Sequence, residues 1–245
     1  MCWSLGVSAG MVAVGAAGAV WTARRDVPKA LPLTLGYFAF MEGLQAAGYF
    51  VVGQCGTPGN ATVTLLSYLH IAFQPFFINA LALSFIPPDV RINVRRGAYG
   101  VCIFATLIML LQLLPWEWAG QCRPGETLCG KQLCLRWGEW HIAWDVPYNG
   151  LMRWFDDLVG ANFGLPTYVL AAYVVPILYG SWRFTIFHGL AGPILAGLLT
   201  RDPSEAPAIW CLFSIAIIVA AMFPPLVNAW HVKSWPLWPK RWAAA

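Results

Sequence analysis

Seven apolar runs punctuate the chain, at roughly 3–22, 30–53, 64–86, 97–115, 165–181, 184–200 and 206–228. Crossing the hydrocarbon of a bilayer takes about 20 helical residues, within a working range of about 17–25. Each run is in or near that range. None alternates with period 2, so a membrane β-barrel is not expected. The pattern predicts an all-α integral membrane protein, a seven-transmembrane helix bundle forming one domain over residues 1–245. The fifth and sixth runs are parted only by Gly180 to Arg183, so a re-entrant pair is the alternative there.

One long segment, residues 116–164, breaks the rhythm. Within it LCLRW (133–137) and WHIAW (140–144) flank Gly138-Glu139, which suits a tight hairpin turn. Residues 150–159 read as a short interfacial helix. Trp116, Trp118, Trp137, Trp140, Trp144 and Trp154 crowd the segment. Tryptophan gathers at membrane interfaces, where its ring finds apolar contact and its N–H finds water. An aromatic belt explains them; an aromatic lid over a pocket is the rival reading. The tail, residues 229–245, alternates Trp with Lys and Arg and reads as an interfacial anchor.

Charge orients the runs. The first has no basic residue before it, and Arg24-Arg25 follow it, unlike a signal peptide. With the N-terminus outside, ten of the 15 Lys and Arg fall inside, namely Arg24, Arg25, Lys29, Arg91, Arg95, Arg96, Arg183, Lys233, Lys240 and Arg241. Arg123, Lys131, Arg136, Arg153 and Arg201 fall outside, four of them in the long segment, and long loops obey the positive-inside rule least. The expectation is N-outside, C-inside, in a bacterial-type inner (plasma) membrane. Cys55, Cys122, Cys129 and Cys134 then all lie outside, where disulfides persist. Their pairing stays open among three choices. A bond from Cys55 to the long segment would staple it over the bundle mouth. A metal site is the lesser alternative, because Cys129 and Cys134 are spaced wider than usual zinc pairs.

Composition agrees with this picture: 59% of residues are hydrophobic and only 11% charged, against about 25% charged in soluble domains. Mean hydropathy is +0.61. The net charge of +4 comes without a basic, base-stacking face, so nucleic acid is not an expected partner. The expected partners are the lipid bilayer, a small-molecule or lipid ligand, and a neighbouring membrane protein.

Candidate chemistry lies in the second and third runs. Glu42 is the only acidic residue inside any run, and Gln45 and Tyr49 follow at helical spacing. A charge at bilayer depth costs at least ~2.5 kcal/mol and marks a functional site by default. In the third run Ser67, His70 and Gln74 share a face. A rise of ~1.5 Å per residue places Glu42 and His70 at similar depths on consecutive antiparallel helices. The expectation is a polar pocket in the outer half around Glu42 and His70, with Gln45, Tyr49, Ser67, Gln74 and Tyr173 around it. A plain structural lock between two helices is the competing explanation. As metal ligands Glu42 and His70 are two where zinc needs three, the third to come from Gln74, Tyr173, His141 or Asp145. His188 lies too deep to share a haem with His70. Asn79, Asn228 and His231 are placed toward His188, as helix-end caps or a second polar cluster. Pro75, Pro176, Pro193 and Pro224-Pro225 lie inside runs and free backbone carbonyls, which favours a cavity.

No run carries lysine, which excludes a retinal Schiff base, and no zinc-helix, nucleophile-elbow or P-loop motif occurs. No cofactor is specified. The functional expectation is a small-ligand-binding, sensor or receptor-like membrane protein. The alternatives are an intramembrane metal-assisted hydrolase and an accessory subunit of a larger membrane complex. Whether the protein is an enzyme is left open by the sequence.

Overall fold

A computed structural model of the chain describes residues 4–160, 164–220 and 222–239. Cys2, Lys240 and Arg241 lie outside the described residues. The chain is mostly helical, at 66%, with a small two-stranded sheet. The helices are α1 (Leu5–Ala23), α2 (Ala30–Gly48), α3 (Pro58–Ala82), α4 (Pro88–Gln112) and α5 (Arg153–Val159). They continue with α6 (Pro166–Leu178), α7 (182–199), α8 (Ala206–Ala220) and α9 (Pro224–Trp230).

Every predicted apolar run is helical. Three helices are long and apolar enough to cross a membrane: α1, α3 with its 3-10 extension to Phe85, and α4. The last run, expected as one span, is instead two helices, α8 and α9, bent by 103°. Pro224 and Pro225 explain the break, since they open α9 and cannot continue α8. Helices α3 and α4 start well before their apolar runs because polar caps extend them. Pro58 sits in the first turn of α3, and the Thr57 side chain accepts from Asn60 N–H at 3.4 Å. Pro88 likewise sits in the first turn of α4, where Asp89 faces the helix dipole, but no side chain caps that helix.

Helices α6 and α7 each contain a π-helical stretch, Leu170–Val174 and Leu190–Ile194. Proline is the cause in both. Pro176 and Pro193 lack the N–H that an α-turn needs, and the wider turn relieves the ring's clash with the preceding carbonyl.

Helix α2 is the hub, packed between α1 and α3 and against α8. The helices enclose a largely apolar core threaded with polar side chains and leave large apolar side chains exposed on their outer faces. Glu42, Gln45, Thr64, Ser67, Gln74 and Asn79 are fully buried, while Leu33, Phe40, Ile103, Leu107, Ile194 and Leu198 are exposed. Asn79 does not join His188. Its amide nitrogen donates to the carbonyls of Pro75 and Ala171 at 2.8 and 2.9 Å, and its oxygen accepts from Tyr179 O–H.

Residues 116–160 fold onto one end of the helices. Strands β1 (Cys134–Trp137) and β2 (Ile142–Asp145) pair antiparallel, with Trp137 opposite Ile142. The hairpin is therefore where the pattern placed it, but its connection is four residues (138–141) instead of two. Cys55 is bonded to Cys134 and Cys122 to Cys129. The first of these ties the hairpin to the α2–α3 connection, as the staple anticipated.

Candidate functional site

The stripe on α2 forms as its spacing predicts. Gln45 Nε2 donates to Glu42 Oε1 at 3.1 Å and reaches the Ala208 carbonyl at 3.5 Å. Its amide oxygen meets His141 Nε2, and Tyr49 O–H lies 2.7 Å from His141 Nδ1. These partners fix the proton on the ring. Gln45 turns its nitrogen to a carboxylate and a carbonyl, so its oxygen must accept from His141 Nε2–H, and Nδ1 accepts from Tyr49. His141 is 1% exposed. Burial lowers its pKa to about 4, so the imidazole is neutral at pH 7. An unbroken polar chain thus runs from Glu42 through Gln45 and His141 to Tyr49. The Ser8 hydroxyl faces Glu42 from α1.

The stripe on α3 has other partners. His70 Nε2 lies 2.8 Å from the Tyr37 carbonyl, and Gln74 Nε2 lies 3.5 Å from His70 Nδ1. The Tyr37 ring stacks on the imidazole at 3.9 Å, and its O–H donates to the His70 carbonyl. No hydrogen bond joins His70 to Glu42. Gln74 Oε1 accepts from Tyr168 O–H at 2.7 Å, and Gln74 Nε2 reaches Cys211 Sγ at 3.4 Å. Ser67 is buried with an unpartnered hydroxyl. The seven predicted residues therefore fall into three groups: Glu42, Gln45 and Tyr49 with His141; His70 and Gln74 with Tyr37 and Tyr168; and Ser67 and Tyr173, whose hydroxyls are unpartnered. Both nitrogens of His70 are engaged, so Glu42 and His70 present no shared metal-binding point. Cys122, Glu126 and Cys129 bring potential ligand atoms within 4.8 Å of one another, but both sulfurs are spent in a disulfide.

A second carboxylate was not singled out by the sequence. Glu205, just before α8, is fully buried. It accepts from the backbone N–H of Glu139, Trp140 and His141 and from the Thr200 hydroxyl. This nest pulls the 138–141 backbone away from ladder pairing and accounts for the four-residue turn. A Cβ on Gly138 would lie 2.5 Å from Glu205 Cδ and Oε1, so only glycine lets the turn close on the carboxylate. Two further ties hold the hairpin. Asn60 exchanges hydrogen bonds with the Leu135 backbone at 2.7 and 2.8 Å. Arg136 bridges Asp145 and Asp202 at 2.9 and 2.6 Å. The one available signal for Glu205 was an acidic residue at the head of an apolar run.

A cavity of about 400 Å³ lies among α3, α6, α7 and α8, below residues 127–128. Ile71, Leu165, Pro193 and Ile194 line it, together with the rings of Tyr168, Tyr173 and Trp210. Among the described residues no charged side chain borders it, and Thr127 adds a hydroxyl. Both π-helical stretches contribute to its wall, Tyr173 from one and Pro193 and Ile194 from the other. Tyr173 O–H and Trp210 Nε1–H have no hydrogen-bond partner among the described residues. Gly192 leaves room for the indole, since a Cβ there would stand 2.5 Å from Nε1. The His188 ring stacks against Tyr173 at 5.3 Å. Tyr168 connects the cavity wall to Gln74 and so to the predicted α3 stripe.

These features define the class: a mostly helical protein, apolar on its outer faces, with a disulfide-stapled hairpin at one end and an aromatic cavity inside. Within that class, the chain belongs to a family of unknown function (DUF5765), whose model matches residues 6–231. No curated protein and no solved structure matches it.

Proposed function

We propose that the protein is a seven-span integral membrane protein that binds a small ligand within the outer half of the bilayer, as a sensor or receptor-like module. Its exposed helix faces carry large apolar side chains, such as Leu33, Phe40, Ile103 and Leu198. Soluble proteins rarely leave so much apolar surface bare. The four bonded cysteines and the hairpin share one end, which this topology places outside.

The aromatic cavity is the observation that carries the ligand reading. Its volume falls within the range of small-molecule sites, and such sites are apolar with a few polar groups. Its position refines the expectation from sequence. The ligand sits against Tyr168, Tyr173 and Trp210, one step along the Gln74 link from His70, and Glu42 belongs to the polar frame beside it.

Native mass spectrometry of the gently purified protein tests this. An added mass is expected on the wild type. Gly189→Leu, which projects a side chain into the cavity, should lose that mass while keeping the wild-type melting temperature. An adduct that survives Gly189→Leu, or a bare wild-type chain, would count against the cavity as a ligand site.

A further inference from the structure

The end of the helices away from the hairpin carries a different chemistry. The α1–α2 and α3–α4 connections meet there, and the chain after α9 is pinned beside them, since the Val232 N–H donates to the Phe85 carbonyl at 3.0 Å. Two adjoining clefts of about 320 and 560 Å³ open between these segments and share Ser84, Asn228 and His231. Arg25 lines the first, and Arg91 and Lys233 line the second. Among the described residues no aspartate or glutamate lines either cleft, and none of these three cations forms an ion pair. Arg25 rests on the Trp21 ring alone, its guanidinium carbon 4.0 Å from the ring centroid. Like charges gathered at one opening without a carboxylate favour an anion there. The wall of the first cleft is apolar, with Leu31, Leu81 and Phe85 all buried in it. An anion that fits both features carries an apolar chain.

We infer that the two clefts form a binding site for an anionic glycerophospholipid. Arg91 and Lys233 hold its phosphate, Arg25 adds charge at the neighbouring mouth, and an acyl chain lies along Leu31, Leu81 and Phe85. The inference rests on the membrane-spanning reading above and is independent of the aromatic cavity. That topology puts this end on the inner side, where basic pockets between spans take anionic head groups. Arginine suits a phosphate because its planar fork donates to two oxygens at once, and lysine adds a point charge. Arg91 is half-buried, so its charge is screened less than one in open water. A zwitterionic head group brings its own ammonium to a rim of cations and is disfavoured by it. Free phosphate would meet the same charges but leaves the apolar wall unfilled. Arg95 and Arg96 lie on the same helix as Arg91, are exposed and line neither cleft, which makes them a natural control.

The test takes the full chain from membranes washed with alkaline carbonate into nanodiscs of equal parts dioleoylphosphatidylcholine and dioleoylphosphatidylglycerol. Native mass spectrometry reads the lipid retained by the ejected protein. Retained phosphatidylglycerol is expected, favoured over phosphatidylcholine about tenfold or more, the effect of two neighbouring cations. Arg91→Gln/Lys233→Gln should erase that preference. Arg95→Gln/Arg96→Gln removes the same charge from the same side and should keep it, with melting temperatures checking both folds. If the first double variant does not fold, Lys233→Gln alone, on an exposed residue of the tail, should still lower the preference about fivefold. Equal retention of the two lipids by the wild type, or equal loss in both double variants, overturns the site and leaves only a diffuse positive face. Displacement of the lipid by inorganic phosphate at matched concentration overturns the lipid assignment in favour of free phosphate. A chain stripped from the membrane by carbonate overturns the spanning reading and the lipid site with it, whereas a chain that stays but shows no preference overturns the site alone.

Discussion

Glu205 and Glu42 are both fully buried carboxylates, and the protein treats them in opposite ways. Glu205 receives three backbone N–H groups and a hydroxyl, all at the hairpin end. Glu42 receives one side-chain amide donor and stands beside the Ser8 hydroxyl, with no backbone N–H directed to it among the described residues. The same contrast separates the two regions around them. The hairpin is tied by Glu205, Asn60, Arg136 and a disulfide, although Trp144 Nε1 and Asp145 Oδ1 on β2 have no partner among the described residues. The interior toward α6 and α7 holds Tyr173, Trp210 and His188 with orphaned polar atoms. Unpartnered buried atoms occur in both regions; what separates them is the density of ties, which is greatest at the hairpin. The hairpin end is the tied frame, and the aromatic cavity is the part proposed above to take a ligand.

Removing the frame's central acceptor is the strongest way to break that division. Glu205→Ala leaves three backbone donors, that of His141 buried and those of Glu139 and Trp140 partly so, and Thr200 without their partner. A loss of about 3–5 kcal/mol is expected, the usual cost of breaking a buried charged network. Rapid proteolysis of the 130–145 segment and a lower melting temperature would report it. Equal stability of variant and wild type would remove Glu205 from the frame.

His141 supplies a pH test of the same frame. Its folded pKa is lowered from 6.5 to about 4. Between those values the unfolded loop takes up a proton that the folded loop refuses. Hairpin stability is therefore whole above pH 6.5 and falls as pH falls toward 4, by roughly 3 kcal/mol across the window. Hydrogen-exchange protection of residues 134–145, corrected for intrinsic rates, measures the fall. His141→Gln should flatten it, and a flat wild-type profile would show that the imidazole is not held neutral by burial.

How far the sequence announced this molecule differs between its two regions for physical reasons. The helical runs, the hairpin, the α2 stripe and the staple from Cys55 were legible because periodicity, spacing and turn chemistry are local. Partnership across the fold was not. His70 and Glu42 were matched by depth, yet depth leaves the rotation of each helix free, and Tyr37 took the imidazole. His141 looked like a spare ligand in a loop, and only the four-residue turn bent around Glu205 brings it to Gln45. Trp144 was counted with the interfacial tryptophans but is 1% exposed, because β2 turns it inward. Pro176 and Pro193 did forecast an opening in the bundle, since a missing N–H is readable in any sequence. That the space would be walled by Tyr168 and Trp210 required the packing of α6 against α8.

A gentler perturbation of the frame is Gly138→Ala. The added methyl would overlap Glu205 Cδ and Oε1, and neither can yield without giving up N–H partners. The expected cost is about 1–3 kcal/mol, the range for overpacking a close contact. A melting temperature unchanged from wild type would mean that the turn has slack the geometry does not show.

Tyr173→Phe should have the smallest effect on stability and is the sharpest probe of the contrast. The hydroxyl is buried and bonds nothing, so the empty protein loses no interaction with it. Removing an unsatisfied buried polar atom while keeping the ring should leave stability within about 0.5 kcal/mol of wild type or raise it slightly. A structural hydroxyl would behave otherwise: Tyr168, which donates to Gln74 at 2.7 Å, should lose about 1 kcal/mol as Tyr168→Phe. Thermal unfolding of both variants, run side by side on ligand-stripped protein, compares them directly. If Tyr173→Phe costs as much as Tyr168→Phe, the hydroxyl has a structural partner. If it costs nothing, the protein keeps a buried hydroxyl that its own fold does not use.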